Sequence, residues 1–170
     1  MDVFKAITQR YSCRSYDTRL VEDDKLKKIL EAARFAPSAS NRQDWRFVVV
    51  TKPDKRAKLC KAANNQKFVN EAPVVIAACS TSKHIMTCGQ PVAAVDVAIA
   101  LEHIALQATE EGLATCWIGS FHPDQVKKIL DIPQDVVVVE LMTLGYPADL
   151  QKPAKRLPLE KIASFEKWNF

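Results

Sequence analysis

Glycine is scarce in this chain, with four residues among 170, and none of them forms part of a G-x-G-x-x-G turn. That turn lets a dinucleotide pyrophosphate approach the backbone, so a Rossmann site is excluded. The Walker lysine loop is missing too, and a nucleoside triphosphate is not the expected ligand. No H-E-x-x-H occurs, and the pair His84 and Cys88, although at helical spacing, lacks the further ligands that zinc needs. Five cysteines (Cys13, Cys60, Cys79, Cys88 and Cys116) are an odd number with no repeated C-x-x-C spacing. This argues against a disulfide framework and a zinc ribbon, leaving reduced and mostly buried thiols. The opening MDVFKAITQRY carries Asp2 and no long apolar run; it lacks the features of a secretory signal, and a cytoplasmic location is expected. Charge of one sign is not concentrated either: 24 basic residues are interleaved with 20 acidic ones, for a net charge of +4. No continuous basic face of the nucleic-acid type results, and the excess suits a local anion site. The nearest approach to a membrane span, residues 91 to 112, is interrupted by Asp96, Glu102 and His103 and reads as a soluble helix, with no membrane partner.

What is present fits one globular domain over residues 1–170 with a sizeable core, since 48% of the residues are hydrophobic and 26% charged. Val3, Phe4 and Ile7 fall at helical spacing within residues 2 to 10. Leu26, Ile29, Leu30 and Ala33 share one face of a second helix over 22 to 36, with acidic residues leading it and Pro37 following. WRFVVVT (45 to 51) reads as a strand, DKRAKLCKAA (54 to 63) as a short helix, and PVVIAACS (73 to 80) as a central strand covered on both faces. Residues 92 to 110 are apolar around most of the helix circumference, which in so small a chain points to burial in a dimer. CWIGSF (116 to 121) reads as a strand leaving the core, HPDQVKKILDI as a helix with Pro123 in its first turn, and DVVVVELMTLGYP (135 to 147) as the longest strand. Beyond Pro147 the prolines, basic residues and late aromatics have little periodicity of their own, so the tail of about 148–170 must lie on something already folded. A packed role is expected for His103 and a capping role for His122, while Trp45, Trp117 and Trp168 are candidates for core or interface.

Four stretches make sense together: RYSCRSY (10 to 16), PSASNRQDWRF (37 to 47), GLATCWIGSF (112 to 121), and LGYP followed by KPAKRLPLEKI. In this order and at this spacing they resemble the nitroreductase family of flavin enzymes, over essentially the whole chain. RYSCRSY looks like the family's Arg-x-Ser-x-Arg signature, which implies that Arg10, Ser12 and Arg14, with Tyr11 between them, hold the phosphate of FMN. A guanidinium fork suits that role better than an ammonium because it makes paired charge-assisted bonds to phosphate oxygens. Arg156 matches the family's C-terminal phosphate contact. Pro37, Ser38, Ala39, Ser40, Asn41 and Gln43 match the family's Pro-Ser-x-x-Asn-x-Gln-Pro-Trp segment beside the flavin ring, which also reaches the partner's cofactor; Asp44 departs from the pattern, standing where proline is usual, and is expected to face solvent. Ile118 and Gly119 match residues whose backbone faces the reactive edge of the ring, and Asn65 falls where the family bonds the ring or ribityl chain, with Asn64 and Gln66 as adjacent alternatives. The resemblance implies an α+β fold with a mixed, mainly antiparallel sheet surrounded by helices, and an intertwined homodimer whose tails wrap onto the partner. It also implies FMN-dependent electron transfer from NAD(P)H to a small-molecule acceptor. Only SKHIMTCGQ separates the strand at 73 to 80 from the long helix, which leaves little material for a lid and keeps a flavin reservoir or redox sensor as an alternative.

Overall fold

Four segments of β-branched and apolar residues pair into one sheet in a computed structural model of the chain, which describes residues 2–149 and 154–170. Strand β1 is Trp45–Val50, β2 Val74–Ser80, β3 Ala114–Ile118 and β4 Val137–Gly145, in the spatial order β1-β2-β4-β3. All three pairings are antiparallel, with Val48 opposite Ala77, Ala77 opposite Leu141, and Cys116 opposite Thr143. The parallel contribution is an isolated bridge between Ser12 and Thr115. Every residue of β2 is buried, as its unbroken apolar run requires of a strand with neighbours on both edges and layers on both faces.

Six helices lie around the sheet in the described residues: α1 Val3–Gln9, α2 Asp23–Arg34, α3 Pro53–Ala62, α4 Lys67–Glu71, α5 Val92–Glu110 and α6 Pro123–Leu130. Helix α1 starts where the Asp2 carboxylate accepts a hydrogen bond from Phe4 N at 3.2 Å, an N-cap. Proline opens α3 and α6, where its missing N–H costs no helical bond. One face of the sheet packs Ile76, Met142 and Leu144 against Ile29 and Ala33 of α2 and Val97, Leu101 and Ile104 of α5. The other packs Val75, Ala77 and Leu141 against Leu59 of α3, Val69 of α4 and Val126 of α6. Each fully buried aliphatic side chain in these layers contributes about 1.5–3 kcal/mol.

Helix α5 has the bounds expected of it, and nine of its residues are buried in the single chain, Asp96 among them. Its length and composition would also suit a membrane span. The apolar stripe of α1 points away from the core instead: Val3 and Phe4 are each 70% exposed, and Ala6 alone is buried. Gly145 closes β4 where a side chain has no room, since a Cβ there would lie 2.5 Å from Pro73 Cδ and 3.0 Å from Tyr16 Cδ1. The Tyr16 hydroxyl donates to Cys13 O at 3.1 Å and lies 2.7 Å from Thr143 Oγ1, tying the N-terminal segment to the sheet.

Candidate functional site

The stretch RYSCRSY follows α1 along the β3 edge of the sheet. Cys13 N donates to Thr115 O at 2.9 Å and Asp17 N to Tyr146 O at 2.9 Å, so the segment is held at both ends. This seating buries Cys13 completely and leaves Ser12 half-buried and Arg14 exposed. Arg10, half-buried at the C-cap of α1, places Nε 3.2 Å from Glu102 Oε1 of α5, yet that buried Nε has no aligned hydrogen-bond acceptor. Burial pushes the Glu102 carboxyl above its ordinary range, and Arg10 partly offsets the shift. Arg10, Ser12 and Arg14 thus follow one another along one edge of the sheet, with the Arg10 Nε a buried donor still lacking an aligned acceptor.

Three residues further along β3 the strand ends at Ile118, about 10 Å from Thr115 at the usual rise per residue. Gly119 is exposed, and its open face looks onto Glu140, whose Oε1 lies 3.4 Å from where a Cβ would stand. Burial raises the Glu140 carboxyl above its ordinary range. The next residue, Ser120, is held from the α3–α4 turn: Asn64 Nδ2 donates to its Oγ at 2.9 Å and Gln66 Nε2 to its carbonyl at 3.1 Å. Asn64 Oδ1 in turn lies 3.0 Å from His122 Nε2, which links the turn to the start of α6. His122 is therefore the N-cap residue of α6 by position only; its ring makes no capping bond. Asn65 is exposed, in the left-handed region with φ 58°, so the links to the 118–120 segment run through its two neighbours.

Residues 37–43 form the loop that precedes β1. Ala39–Asn41 form a 3-10 turn, and Ser40, Asn41 and Gln43 all have positive φ, 52°, 54° and 56°. Left-handed backbone costs roughly 1–2 kcal/mol per non-glycine residue, less for asparagine. The loop is closed by Asn41 N donating to Ser38 O at 3.0 Å, Gln43 N to Ser38 Oγ at 3.0 Å, and Gln43 Nε2 to Asn41 Oδ1 at 3.1 Å. Among the described residues its tie to the core is Ala39 N, which donates to both carboxylate oxygens of Asp96 on α5, at 3.2 and 3.1 Å. In the sequence Asp96 shows only as an isolated acid interrupting an apolar helix, and that isolation is the local signal of its role. Pro37, Ser40, Asn41 and Gln43 are exposed, Ser38 and Ala39 half-buried. Asp44 is half-buried, its carbonyl accepting from Thr81 N at 3.0 Å and Thr81 Oγ1 at 3.3 Å.

Arg156 is exposed, with Nη1 donating to Ala154 O at 3.3 Å, and among the described residues no bond joins it to Arg10 or Arg14. His103 packs as expected, with Nδ1 3.1 Å from Ala32 O. No cluster of three metal-ligating side chains occurs among the described residues.

The nitroreductase family model matches residues 7–68 and 60–146. The chain belongs to the nitroreductase family. An NADH dehydrogenase from Thermus thermophilus is 31% identical over 194 residues, covering 95% of each chain. An FMN reductase [NAD(P)H] from Bacillus subtilis is 30% identical over 179 residues, covering 95% of this chain and 72% of the relative. Among solved structures, a nitroreductase family protein from Clostridium difficile superposes with a TM-score of 0.87 at 33% identity, covering 99% of this chain and 100% of that one. This nitroreductase-family chain has the expected α+β architecture, an antiparallel sheet surrounded by helices.

Proposed function

We propose that this chain is an FMN-dependent NAD(P)H oxidoreductase that passes reducing equivalents to a nitroaromatic, quinone or similar small acceptor in two successive half-reactions. The observation that carries the reading is the β3 edge, with Arg10, Ser12 and Arg14 near one end of the strand and the open face of Gly119 at the other. Similarity to a protein named FMN reductase [NAD(P)H] supports the same cofactor and reductant. Bound FMN supplies hydride acceptance and onward electron transfer. The protein's part is to place and hold it. Arg10, Ser12 and Arg14, together with Arg156 from the tail, neutralise the phosphate, and Tyr11 continues the same edge. The backbone of Ile118 and Gly119 meets the ring, with no Cβ at Gly119 to hold it off. Asn64, Asn65 and Gln66 supply amides beside that edge.

Pro37, Ser38, Ala39, Ser40, Asn41 and Gln43 complete the site from a second copy. Within one chain the loop precedes β1, whereas Gly119 follows β3, and these strands are the two outer ones. Three strand spacings, about 14 Å, separate them, so one ring cannot meet both from the same chain. A homodimer, in which the tail of about 148–170 wraps onto the partner, removes the conflict; residues 150–153 of that tail lie outside the described residues. It also gives cover to Phe165 and Trp168, 85% and 82% exposed in the single chain.

The test is the visible spectrum of the FMN-supplemented, desalted protein, recorded anaerobically before and after NADH or NADPH. A flavin band that bleaches is expected; a retained band that does not bleach favours a reservoir or sensor, and no band overturns the reading. Replacing both Arg10 and Arg14 by Ala should weaken FMN binding, and unchanged affinity would remove them from the phosphate site.

A further inference from the structure

Asp96 is 4% exposed, on a helix face whose other buried members are alanine, valine, leucine and isoleucine. A carboxylate in such surroundings is costly unless something specific requires it. The bond it makes within the structure reaches across 57 residues of sequence to a single backbone N–H, that of Ala39, with both oxygens at nearly equal distance. That N–H opens the one segment among the described residues in which three of four consecutive residues, 40 to 43, hold left-handed backbone without being glycine. The remaining bonds of the loop are internal or run to its own flank: Ser38 to Asn41 and Gln43, Gln43 to Asn41, and Arg46 Nη1 to Gln43 O at 3.0 Å. None of these fixes the loop relative to the helical layer beneath the sheet; the Asp96 fork does.

From this we infer that Asp96 is the positioning residue of the 38–43 loop, holding it in a strained form at a fixed height over α5 so that its side chains meet the ring edge. The inference rests on the proposed function for what the loop meets, but not for what holds the loop. A carboxylate suits the task better than a hydroxyl because its bond to an N–H is charge-assisted and its two oxygens resist rotation of the contact.

The test measures amide hydrogen exchange at Asn41 and Gln43 together with flavin spectra and steady-state kinetics, in the full chain. In D96A these two amides should exchange on the order of tenfold to a hundredfold faster, the factor expected for losing one hydrogen bond to a charged group. D96N, which keeps one acceptor oxygen, should recover most of the protection. A second variant approaches from the donor side: Ser38 already has the extended backbone, φ −143° and ψ 159°, that a following proline requires. A39P therefore removes the N–H without a clash against the residue before it, and it should release the same two amides even if D96A fails to fold. With FMN bound, D96A and A39P should share an altered flavin absorption envelope and a lower kcat, while loss of stability alone would leave both unchanged in the folded fraction. Protection of Asn41 and Gln43 as in the unaltered protein, in D96A or A39P, overturns the inference. If the unaltered protein takes up no flavin, the proposed function fails, and the exchange rates alone still decide what Asp96 holds.

Discussion

Two glycines, Gly145 at the end of β4 and Gly119 just past the end of β3, should respond to alanine in opposite ways. At Gly145 the new methyl would stand 2.5 Å from Pro73 Cδ, 2.8 Å from Pro73 Cγ and 3.0 Å from Tyr16 Cδ1, whereas carbon atoms pack comfortably at about 3.5–4.0 Å. Neither neighbour yields easily. Pro73 is a rigid ring immediately before the fully buried β2, and Tyr16 is anchored through its hydroxyl at Cys13 and Thr143. An overlap of this size costs about 3 kcal/mol, the upper part of the usual overpacking range. For a chain of this length that is a fall in Tm of roughly 6–12 °C. At Gly119 the methyl meets only the movable end of Glu140 at 3.4 Å, so G119A should melt within about 2 °C of the unaltered protein, as surface substitutions do. Its FMN affinity should fall by about tenfold or more, equivalent to about 1.4 kcal/mol of lost approach. Circular dichroism melts and flavin-fluorescence titrations read both quantities. A G145A protein that melts with the wild type would refute the packing argument, and tight FMN binding by G119A would refute the placement of the ring at that backbone.

The thiols should separate by burial: Cys88 is exposed and should react first with a thiol reagent, Cys60 more slowly, and Cys13, Cys79 and Cys116 only on unfolding. Cys79, pushed up to about 11 by burial, is the firmest case, and rapid native labelling there would contradict the core assignment. Because the folded Glu140 holds its proton to higher pH than the unfolded chain does, stability falls as pH rises from the ordinary carboxylate range through the folded value and is then level. E140Q should therefore gain Tm relative to the wild type at pH 8 compared with pH 4, and a pH-independent difference would dismiss the burial effect. Y16F should cost about 1–2 kcal/mol by leaving Thr143 and the Cys13 carbonyl short of a buried partner, measured by urea unfolding; a neutral result would show that the hydroxyl is replaceable.

Periodicity made much of the fold legible. Helix α5 and strand β2 have bounds at or within one residue of those expected, because their patterns are long and tertiary packing agrees with them. Helix α4, five residues with no side-chain cap, has too short a pattern to register. The β3 signal, placed at 116 to 121, belongs to 114–118, because the amides of Asn64 and Gln66 take up Ser120 where the ladder would otherwise continue. The apolar spacing of α1 is helical as expected, but spacing does not say which side faces the core, and Val3, Phe4 and Ile7 face out. At the site, the local stretches were visible as motifs. What joins them was not: the Ser12–Thr115 bridge and the Asp96–Ala39 bond depend on strand order and long-range contact, which carry no local trace.

The strand order also sets a timetable for acquiring the structure. Pairing of β1 with β2 closes a short stretch of chain through α3 and α4, and pairing of β3 with β4 closes another through α6. The seam between β2 and β4 must instead bring together segments separated by the whole of α5, β3 and α6, and it is the seam along which both core faces become continuous. Such a topology favours two half-sheets formed early and joined late, with the joining as the slow step. Until the seam closes, β2, apolar on both faces, is a bare edge open to any other chain, and a freshly made molecule is at its most aggregation-prone in that interval.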